Sequence, residues 1–353
     1  MQSVALRGRW LRRAAMGALA AAAAIVPCTG AMAAEPELVM RVGITSAADS
    51  ILGLESDYFG KLVDMNTNGR IQVKLFPNGL LGKENTELEG MVAGTHDGFI
   101  HISSYTGLIK EQRFWDLPFL FPDADAVARV TQGPLRAEME QHFRKYGLEL
   151  LGFFGFGYRQ FTGNVRPYNS PEDLKGIKHR IPGGKSKMIL FKALGADPST
   201  VSFPELYQAL KAGVVDSQDN PLALIHVQKF HEVTKYLSIC NYVYNPVIFA
   251  VGQPFWKKVP DWAKPILKQA ARDTEGWSVM LAEKFDVEIM QKIMKDRPDY
   301  QVNYCDPKNL PKWQEAAKPV YESFVEDAGK EWSDKLYAVA AGKYAPGYDP
   351  TKR

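Results

Sequence analysis

Residues 173–182 read DLKGIKHRIP, and the β-like run at 177–181 predicts a short strand that stops at Pro182. Arg180 lies inside this run. A charged side chain is costly to bury in a strand unless an anion lies against it, and the guanidinium fork suits a carboxylate. Arg180 is therefore a candidate ligand-binding residue. An internal ion pair with Asp or Glu, or exposure on an edge strand, would also account for it.

A second arginine stands in a similar context. Arg159 follows GFGY at 155–158, an aromatic and flexible turn after a predicted strand. The same argument makes Arg159 a candidate for binding an anion, with the same structural alternatives, and we add its neighbour Tyr158 as a candidate contact. Because aromatic clusters form core more often than pocket walls, the other aromatic residues nearby are expected mainly in the core: Trp115, Phe119, Phe154 and Phe156.

Outside these segments, strand and helix patterns alternate. Strands are predicted at 38–45, 70–76, 98–102, 148–154, 177–181, 214–215, 236–244, 247–251 and 300–305. Helices are predicted at 51–67, 85–93, 123–146, 187–194, 203–212 and 262–295, and polar turns at 101–106 and 216–221. The alternation favours an α/β fold with largely parallel sheets. The last helix would be roughly 45 Å long, enough to bridge two lobes.

The N-terminus has the pattern of an export signal. Arg7, Arg9, Arg12 and Arg13 are the only charged residues before Glu35, an apolar run follows at 14–26, and small residues follow at 29–34. This order is typical of a secretory signal peptide, and we place it at 1–33. The apolar run is shorter than a membrane span needs. We therefore expect a chain exported to the periplasm.

Composition excludes several classes of protein. The 353 residues are 46% hydrophobic and 24% charged, with 3 Cys, which fits a globular protein and neither a disordered chain nor a disulfide scaffold. Without the four N-terminal arginines, 39 Lys and Arg face 40 Asp and Glu, so the net charge is −1. The basic balance therefore does not indicate a nucleic-acid partner. Cys240 and Cys305 either form a disulfide after export or stay as separate thiols.

Motifs of catalysis and metal binding are sparse. The chain contains no HExxH, CxxC, GxSxG or phosphate-loop motif. His226 and His231 are five residues apart, a spacing that misses one face of a helix, so no metal site is predicted there, and no cofactor is predicted elsewhere. His101 ends a predicted strand, where ligand sites of α/β sheets collect, and is either a site residue or a structural hydrogen-bonding group.

Several segments together resemble a known family. The run at 173–182 continues with FKALGADP at 191–198, FPELYQAL at 203–210 and GVVDSQDNP at 213–221. Other matching segments are NGR at 68–70, FPNG at 76–79, LG at 81–82 and EVTKYL at 232–237. In this order and spacing they are similar to the dicarboxylate-binding (DctP-like) substrate-binding proteins of tripartite ATP-independent periplasmic (TRAP) transporters.

The resemblance implies a periplasmic-binding-protein-like α/β fold, with two lobes around a ligand cleft and one long helix across both. We expect lobe I to comprise 34–156 and 246–285, and lobe II to comprise 157–245 and 286–353. The resemblance also implies a receptor without catalytic activity, which passes an organic acid to the membrane subunits of a TRAP transporter. The sequence does not determine the oligomeric state, and a monomer is the default expectation.

Residue roles follow from the same resemblance. Arg180 matches the arginine that grips the ligand carboxylate through two hydrogen bonds, Asn220 matches the amide that supports it, and Arg159 matches a further contact to ligand oxygens. The turn departs from the family pattern, since it has Asp219 where Glu is usual and Ser217 where Gly is usual. Specificity positions are expected at Glu84, Ser103, Ser104 and Tyr207, of which Tyr207 lies either under the ligand or in the core.

Two other functions stay open at this point. A secreted lyase or isomerase could use the same arginine, but no nucleophile or acid–base pair stands beside Arg180 in the sequence. A ligand-loaded adaptor of a membrane sensor would share the pocket and differ only in its partner. The sequence does not distinguish a dicarboxylate, a sugar acid, a keto acid and an aromatic acid as the ligand.

Overall fold

The structure is a computed structural model and describes residues 35–101 and 103–343. The predicted signal peptide at 1–33 lies outside these residues, as do the side chains of Glu84, Ser103 and Ser104. The described residues, 35–101 and 103–343, belong to one compact unit. Within the described residues, none of the helices combines the length and the apolar character that a membrane span requires.

The described residues form two mixed sheets. The five-stranded first sheet has the order β2-β1-β3-β10-β4, with β1 Leu38–Gly43, β2 Ile71–Phe76, β3 Gly98–His101, β4 Leu148–Phe154 and β10 Val247–Gly252. The six-stranded second sheet has the order β11-β9-β5-β8-β6-β7, with β5 Tyr158–Gly163, β6 Lys178–Ile181, β7 Asp197–Thr200, β8 Ser217–Asn220, β9 Tyr236–Tyr244 and β11 Gln301–Tyr304. The expectation of largely parallel sheets is only partly right, because β10 runs antiparallel to both its neighbours, as does β5.

Helices cover the sheets. In the described residues they are α1 Ile51–Thr67, α2 Glu84–Ala93, α3 Ser103–Leu108, α4 Ala124–Thr131, α5 Arg136–Lys145, α6 Lys185–Ala193, α7 Leu206–Lys211, α8 Leu222–Val227, α9 Gln253–Trp256, α10 Lys264–Asp296, α11 Leu310–Ala328 and α12 Lys330–Ala340. Short 3₁₀ helices span Lys110–Asp116, Pro171–Leu174, Phe203–Glu205, Phe230–Glu232 and Pro307–Asn309.

Local signals explain α1 well. Ser50 accepts a hydrogen bond from the backbone N–H of Gly53 at the helix start. Asn68 takes a left-handed conformation with φ 53° at the end, where its backbone N–H bonds to carbonyls of the last turn. The predicted bounds of 51–67 are confirmed.

Several predicted elements need correction. The single helix at 123–146 is two helices, α4 and α5, because Gly133-Pro134 interrupts the pattern and proline lacks the N–H that a continuing helix needs. The polar turn at 101–106 is mostly helix α3. Residues 214–215, expected to form a strand, do not, and Val214 is 61% exposed. The polar turn expected at 216–221 is instead mostly strand β8, Ser217–Asn220.

The polar strand β8 lies between β5 and β6 and is fully buried. Its backbone pairs with β5 in antiparallel register, Gln160 opposite Asn220 and Phe161 opposite Asp219. Its side chains find partners within the protein; for example, Gln218 donates to Thr162 Oγ1 at 2.9 Å. A buried strand of this kind is stable only because each polar group is hydrogen-bonded, which hydrophobic patterning cannot reveal.

Helix α10 packs against elements of both halves of the fold. It contacts strand β4 of the first sheet, helix α1, and helix α8, which follows strand β8 of the second sheet. Where the chain passes from β4 to β5, the N–H of Gly155 donates to Ser278 Oγ of α10 at 2.7 Å. Any Cβ at Gly155 would lie 2.6 Å from Ser278 O, so a larger residue there would push the helix away. The long helix is thereby fixed against the connection between the sheets.

Cys240 and Cys305, for which the sequence left a disulfide and separate thiols both open, form a disulfide with their Cα atoms 4.9 Å apart. Cys240 lies in β9, and Cys305 directly follows β11, the strand that pairs in parallel with β9 in the second sheet. The division of the chain into two lobes stays a prediction; the strands of the first sheet fall within the ranges given for lobe I and those of the second within lobe II.

Candidate functional site

A small cavity of about 40 Å³ lies where the two sheets meet. Its polar lining comes from both sheets: Thr45 and Ser46 after β1, His101 of β3, Arg159 of β5, Arg180 of β6 and Asn220 of β8. Its apolar lining comprises Leu52, Phe156, Pro182, Phe203 and Leu224. The sequence-predicted residues Arg180, Arg159, Asn220 and His101 are therefore brought to one place from four different strands.

Arg180 is almost fully buried, with 2% of its surface exposed. Strand β6 holds it between β7 and β8, and Pro182 ends the strand directly after it. Its Nε donates to the carbonyl of Val201 at 2.8 Å, and its guanidinium carbon lies 5.9 Å from the centre of the Phe203 ring. These contacts orient the guanidinium, and the cavity lies beside it.

Arg159 is also almost fully buried, and Asp219 balances its charge. Its Nε forms an ion pair with Asp219 Oδ2, and its Nη2 donates to the carbonyl of Asp219. The strand pairing of β5 with β8 brings the two residues together. Since a guanidinium has five N–H groups and Asp219 takes two, Arg159 keeps donors that a ligand in the cavity can use.

Asp219 is the centre of a buried network. Besides Arg159, it accepts a hydrogen bond from Tyr242 and lies 3.1 Å from His179 Nε2 and 3.8 Å from Lys187 Nζ. Lys187 also lies 3.6 Å from Asp116 Oδ1. Two cations and two carboxylates thus balance one another behind the cavity.

The network shifts the pKa values of its members. Burial alone would raise the pKa of Asp219, but the charges of Arg159 and Lys187 and the His179 hydrogen bond outweigh it and hold that pKa well below its usual range. Burial lowers the pKa of His179 and of Lys187 more than Asp219 raises them. Asp219 is therefore charged at neutral pH and His179 is neutral.

Asn220 stands at the end of β8 with 3% of its surface exposed. Its Nδ2 donates to Gln218 Oε1, and Gln218 donates in turn to Thr162. This chain of bonds fixes which way the amide points. The backbone of Asn220 pairs with Gln160, so the residue is held beside Arg159.

The other predicted site residues are placed differently. His101 lines the cavity with its ring stacked on Phe99 at 5.1 Å. Tyr158 donates to the carbonyl of Phe121 at 3.0 Å, and Tyr207 donates to Glu232 at 3.4 Å; neither is part of the cavity lining. Glu84, Ser103 and Ser104 begin helices α2 and α3, and their side chains lie outside the described part of the structure.

Sequence reasoning missed several residues of the site. Thr45 and Ser46 follow a parallel strand, and the rule that ligand sites lie beyond the carboxyl ends of such strands could have identified them. Lys187 and Tyr242 carry no sequence signal, because only the tertiary fold brings them to Asp219. Of the aromatic residues, Trp115, Phe154 and Phe156 are core, and Phe156 also lines the cavity.

Comparison with known proteins gives consistent matches over most of the chain. Residues 42–327 match the family described as bacterial extracellular solute-binding protein, family 7 (DctP). The C4-dicarboxylate-binding periplasmic protein DctP of Rhodobacter capsulatus is 29% identical over 333 residues, which are 94% of this chain and 99% of the relative.

Solved structures agree. A TRAP periplasmic solute-binding protein from Sulfurospirillum deleyianum with bound succinate has a TM-score of 0.80 at 30% identity, covering 86% of this chain and 99% of that one. The sugar acid binding protein DctPAm from Advenella mimigardefordensis, in complex with galactonate, has a TM-score of 0.82 at 28% identity, covering 88% and 99%. The fold expected from the sequence, with one long helix, is confirmed.

Proposed function

Because the chain belongs to the bacterial extracellular solute-binding proteins of family 7, we propose that it captures an organic acid in the cavity between its two sheets. Arg180 holds the ligand carboxylate through two parallel hydrogen bonds. The loaded protein then delivers the acid to the membrane subunits of a TRAP transporter. The family is one of binding receptors, and the acid leaves chemically unchanged.

The observation that carries this proposal is the convergence of Arg180, Arg159 and Asn220 on one cavity. Each is at most 3% exposed, and they come from three different strands. Arginine stays protonated at physiological pH, so Arg180 brings a permanent positive charge to a small, buried cavity. A carboxylate is the ligand group that matches this charge and the planar fork of donors.

Arg159 and Asn220 take the supporting role. Asp219 neutralises Arg159, so this arginine supplies positioned hydrogen bonds rather than net charge. The amide of Asn220 is fixed by Gln218. A pair of fixed donors beside one charged arginine favours one carboxylate at this end of the cavity.

The first sheet supplies the groups that would select among acids. Thr45, Ser46 and His101 line the cavity from the first sheet, whereas Arg180 lines it from the second. Hydroxyl and imidazole groups can bond to a ligand hydroxyl, keto group or second carboxylate. Relatives carry such ligands, since the Sulfurospirillum deleyianum protein holds succinate and the Advenella mimigardefordensis protein holds galactonate.

Capture involves a movement of the two sheets. The cavity is small, and its walls come from both sheets, so we infer that the acid enters when they separate and is enclosed when they approach. Enclosure removes water and strengthens the pairing between guanidinium and carboxylate. The short connections at 155–157 and 245–246 and helix α10 are the parts that such a hinge would bend.

The expected site of action is the periplasm. The N-terminal pattern at 1–33 is typical of an export signal, and the Rhodobacter capsulatus relative is named as a periplasmic protein. Export also places Cys240 and Cys305 in a compartment where their disulfide persists.

A thermal-shift screen of organic acids, each paired with a neutral analogue, tests the function. Succinate with succinamide and galactonate with galactose are the first pairs. A ligand at 100 times its dissociation constant stabilises the fold by about 2.7 kcal/mol, a shift that such a screen detects. We expect acids and not their neutral partners to raise the melting temperature. Shifts from neutral molecules alone, or none from a broad set of acids, would overturn the proposal.

A further inference from the structure

Three side chains with metal-binding atoms meet at the C-terminal end of α10. They are His226 of α8, His231 of the 3₁₀ helix Phe230–Glu232, and Asp296, the last residue of α10. One ligand atom from each lies within 4.8 Å of the other two. His226 Nε2 is 3.2 Å from Asp296 Oδ2, and His231 Nε2 is 3.8 Å from the same oxygen.

The fold, and not helical spacing, brings the two histidines together. Helix α8 ends at Val227, and Lys229 then takes a left-handed conformation with φ 58°. This turn returns His231 to the side of His226, where the two rings stack with their centres 5.3 Å apart and their planes 9° from parallel. A five-residue spacing that misses one face of a continuous helix is therefore compatible with a shared site.

The tautomer of His231 is suited to binding a metal. Its Nδ1 lies 3.3 Å from the carbonyl of Ile225, which only accepts hydrogen bonds, so Nδ1 carries the proton. Nε2 then has a free lone pair, and it is the nitrogen nearer to Asp296. A backbone carbonyl that bonds to the other ring nitrogen is the usual arrangement around a metal-bound histidine.

The end of α10 is also held in place from outside the cluster. Arg297 donates to the carbonyl of His231 at 2.9 Å and to that of Glu232 at 3.2 Å. Its Nε and Nη2 donate to Asp299, at 2.9 Å each. Arg297 thus fixes the helix end to the turn and leaves the carboxylate of Asp296 to the histidines.

We propose that His226, His231 and Asp296 bind a zinc ion that clamps the end of α10 to the segment following β8. With bonds of 2.0–2.1 Å, tetrahedral zinc needs ligand atoms about 3.3 Å apart. The His226–Asp296 separation of 3.2 Å already meets this requirement. Two imidazoles with one carboxylate suit zinc better than magnesium or calcium, which prefer oxygen ligands.

The site is open to solvent on one side. The side chains of His226 and Asp296 are 26% and 50% exposed, whereas His231 is 2% exposed. An ion can therefore enter, the two outer ligands can rotate to close the remaining distances, and water can fill the fourth position. The site lies apart from the acid-binding cavity, whose lining contains none of the three residues.

Zinc titration of the tag-free protein, stripped with a chelator, tests the proposal by calorimetry and by melting temperature. We expect one zinc ion per chain, a higher melting temperature with zinc, and no such effect of magnesium or calcium. The variants are His226→Gln and Asp296→Asn, which change one partly exposed and one exposed side chain and leave the buried His231 in the fold. Each should lower zinc affinity by at least about 10-fold, because loss of a residue that only hydrogen-bonds to a metal ligand already costs that much, and loss of the ligand itself costs no less.

The matched control is His96→Gln, which removes a half-buried histidine located before β3. It should bind zinc as the unchanged protein does. Absence of zinc binding at tens of micromolar would overturn the proposal, as would zinc binding that both site variants retain. An equal loss of zinc affinity in His96→Gln would place the ion at another site and would also overturn the proposal.

Discussion

Arg159 of β5 and Asp219 of β8 form a buried ion pair across two adjacent antiparallel strands. The side chains are 4% and 1% exposed, and the pair lies between the cavity and the buried groups His179, Lys187 and Tyr242. Asp219 therefore balances the charge of Arg159 and fixes the direction of its guanidinium. The cavity gains hydrogen-bond donors from Arg159, whereas Arg180 is the arginine that we propose to pair with the ligand carboxylate.

Replacing Arg180 tests the charged contact. Arg180→Lys keeps the charge but loses the planar fork, so we expect affinity for the acid identified by screening to fall about 10- to 100-fold, or about 1.4–2.8 kcal/mol. Calorimetric titration measures the change. Arg272→Lys, an exposed residue on α10, is the control and should bind normally. Unchanged affinity in Arg180→Lys would show that Arg180 does not hold the carboxylate.

Replacing Asp219 tests the network. Asp219→Asn leaves the buried Arg159 without its counter-charge, so the free energy of unfolding should fall by about 3–5 kcal/mol. Urea denaturation measures the loss. Asp299→Asn, which removes an exposed partner of Arg297, should cost less than about 1 kcal/mol. Similar costs for the two variants would mean that the buried pair does not stabilise the fold.

The same ion pair predicts how the stability of the fold changes in acid. Since the pKa of Asp219 is lower in the folded protein than in the unfolded chain, its contribution to stability is present above the unfolded pKa of about 3.9. It is lost as the pH falls through the lower folded value. The difference in stability between the unchanged protein and Asp219→Asn should therefore narrow in acid, as urea denaturation below pH 4 would measure. A difference that stays constant would contradict the lowered pKa.

The buried Glu87 makes stability depend on pH in the opposite direction, so that its contribution falls as the pH rises. This residue of α2 is 0% exposed, and burial raises its pKa to about 8 from 4.5. Its proton is bound more tightly in the folded state, so stability is lost as the pH rises from 4.5 to 8, by at most about 1.4 kcal/mol per pH unit. Glu87→Gln removes this loss, so its stability relative to the unchanged protein should increase over that range.

Denaturation curves at several pH values between 5 and 8 measure the effect of Glu87→Gln. Glu89→Gln, an exposed position on the same helix, is the matched control and should follow the unchanged protein. Parallel stability curves for Glu87→Gln and the unchanged protein would show that Glu87 is ionised at neutral pH in both states.

The disulfide stabilises the fold mainly by restricting the unfolded chain. Cys240 and Cys305 are 65 residues apart, and closing a loop of this size limits the unfolded ensemble. The double variant Cys240→Ser, Cys305→Ser should unfold about 2–4 kcal/mol more easily, and a reducing agent should destabilise only the unchanged protein. Equal sensitivity of both proteins to the reducing agent would rule out this contribution.

Local sequence determined several elements of this protein. The bounds of α1 at 51–67 and of β4 at 148–154 match the prediction, because capping residues and apolar periodicity act over only a few positions. The ordered segments around 173–221 also identified the family. The presence of Pro134 could have predicted the break between α4 and α5, since proline interrupts a helix wherever it stands inside one.

Only the tertiary structure decided where the polar residues go. Strand β8 has no apolar pattern and is a strand because β5 and β6 supply partners on both sides. Asp219 meets Arg159 from 60 positions away, and Asp296 meets His226 from 70. Such pairings depend on which strands and helices lie side by side, and a hydrogen bond or ion pair leaves no periodic signal in the chain. Sequence therefore determined the local elements and the family, whereas three-dimensional packing determined the charges around the cavity.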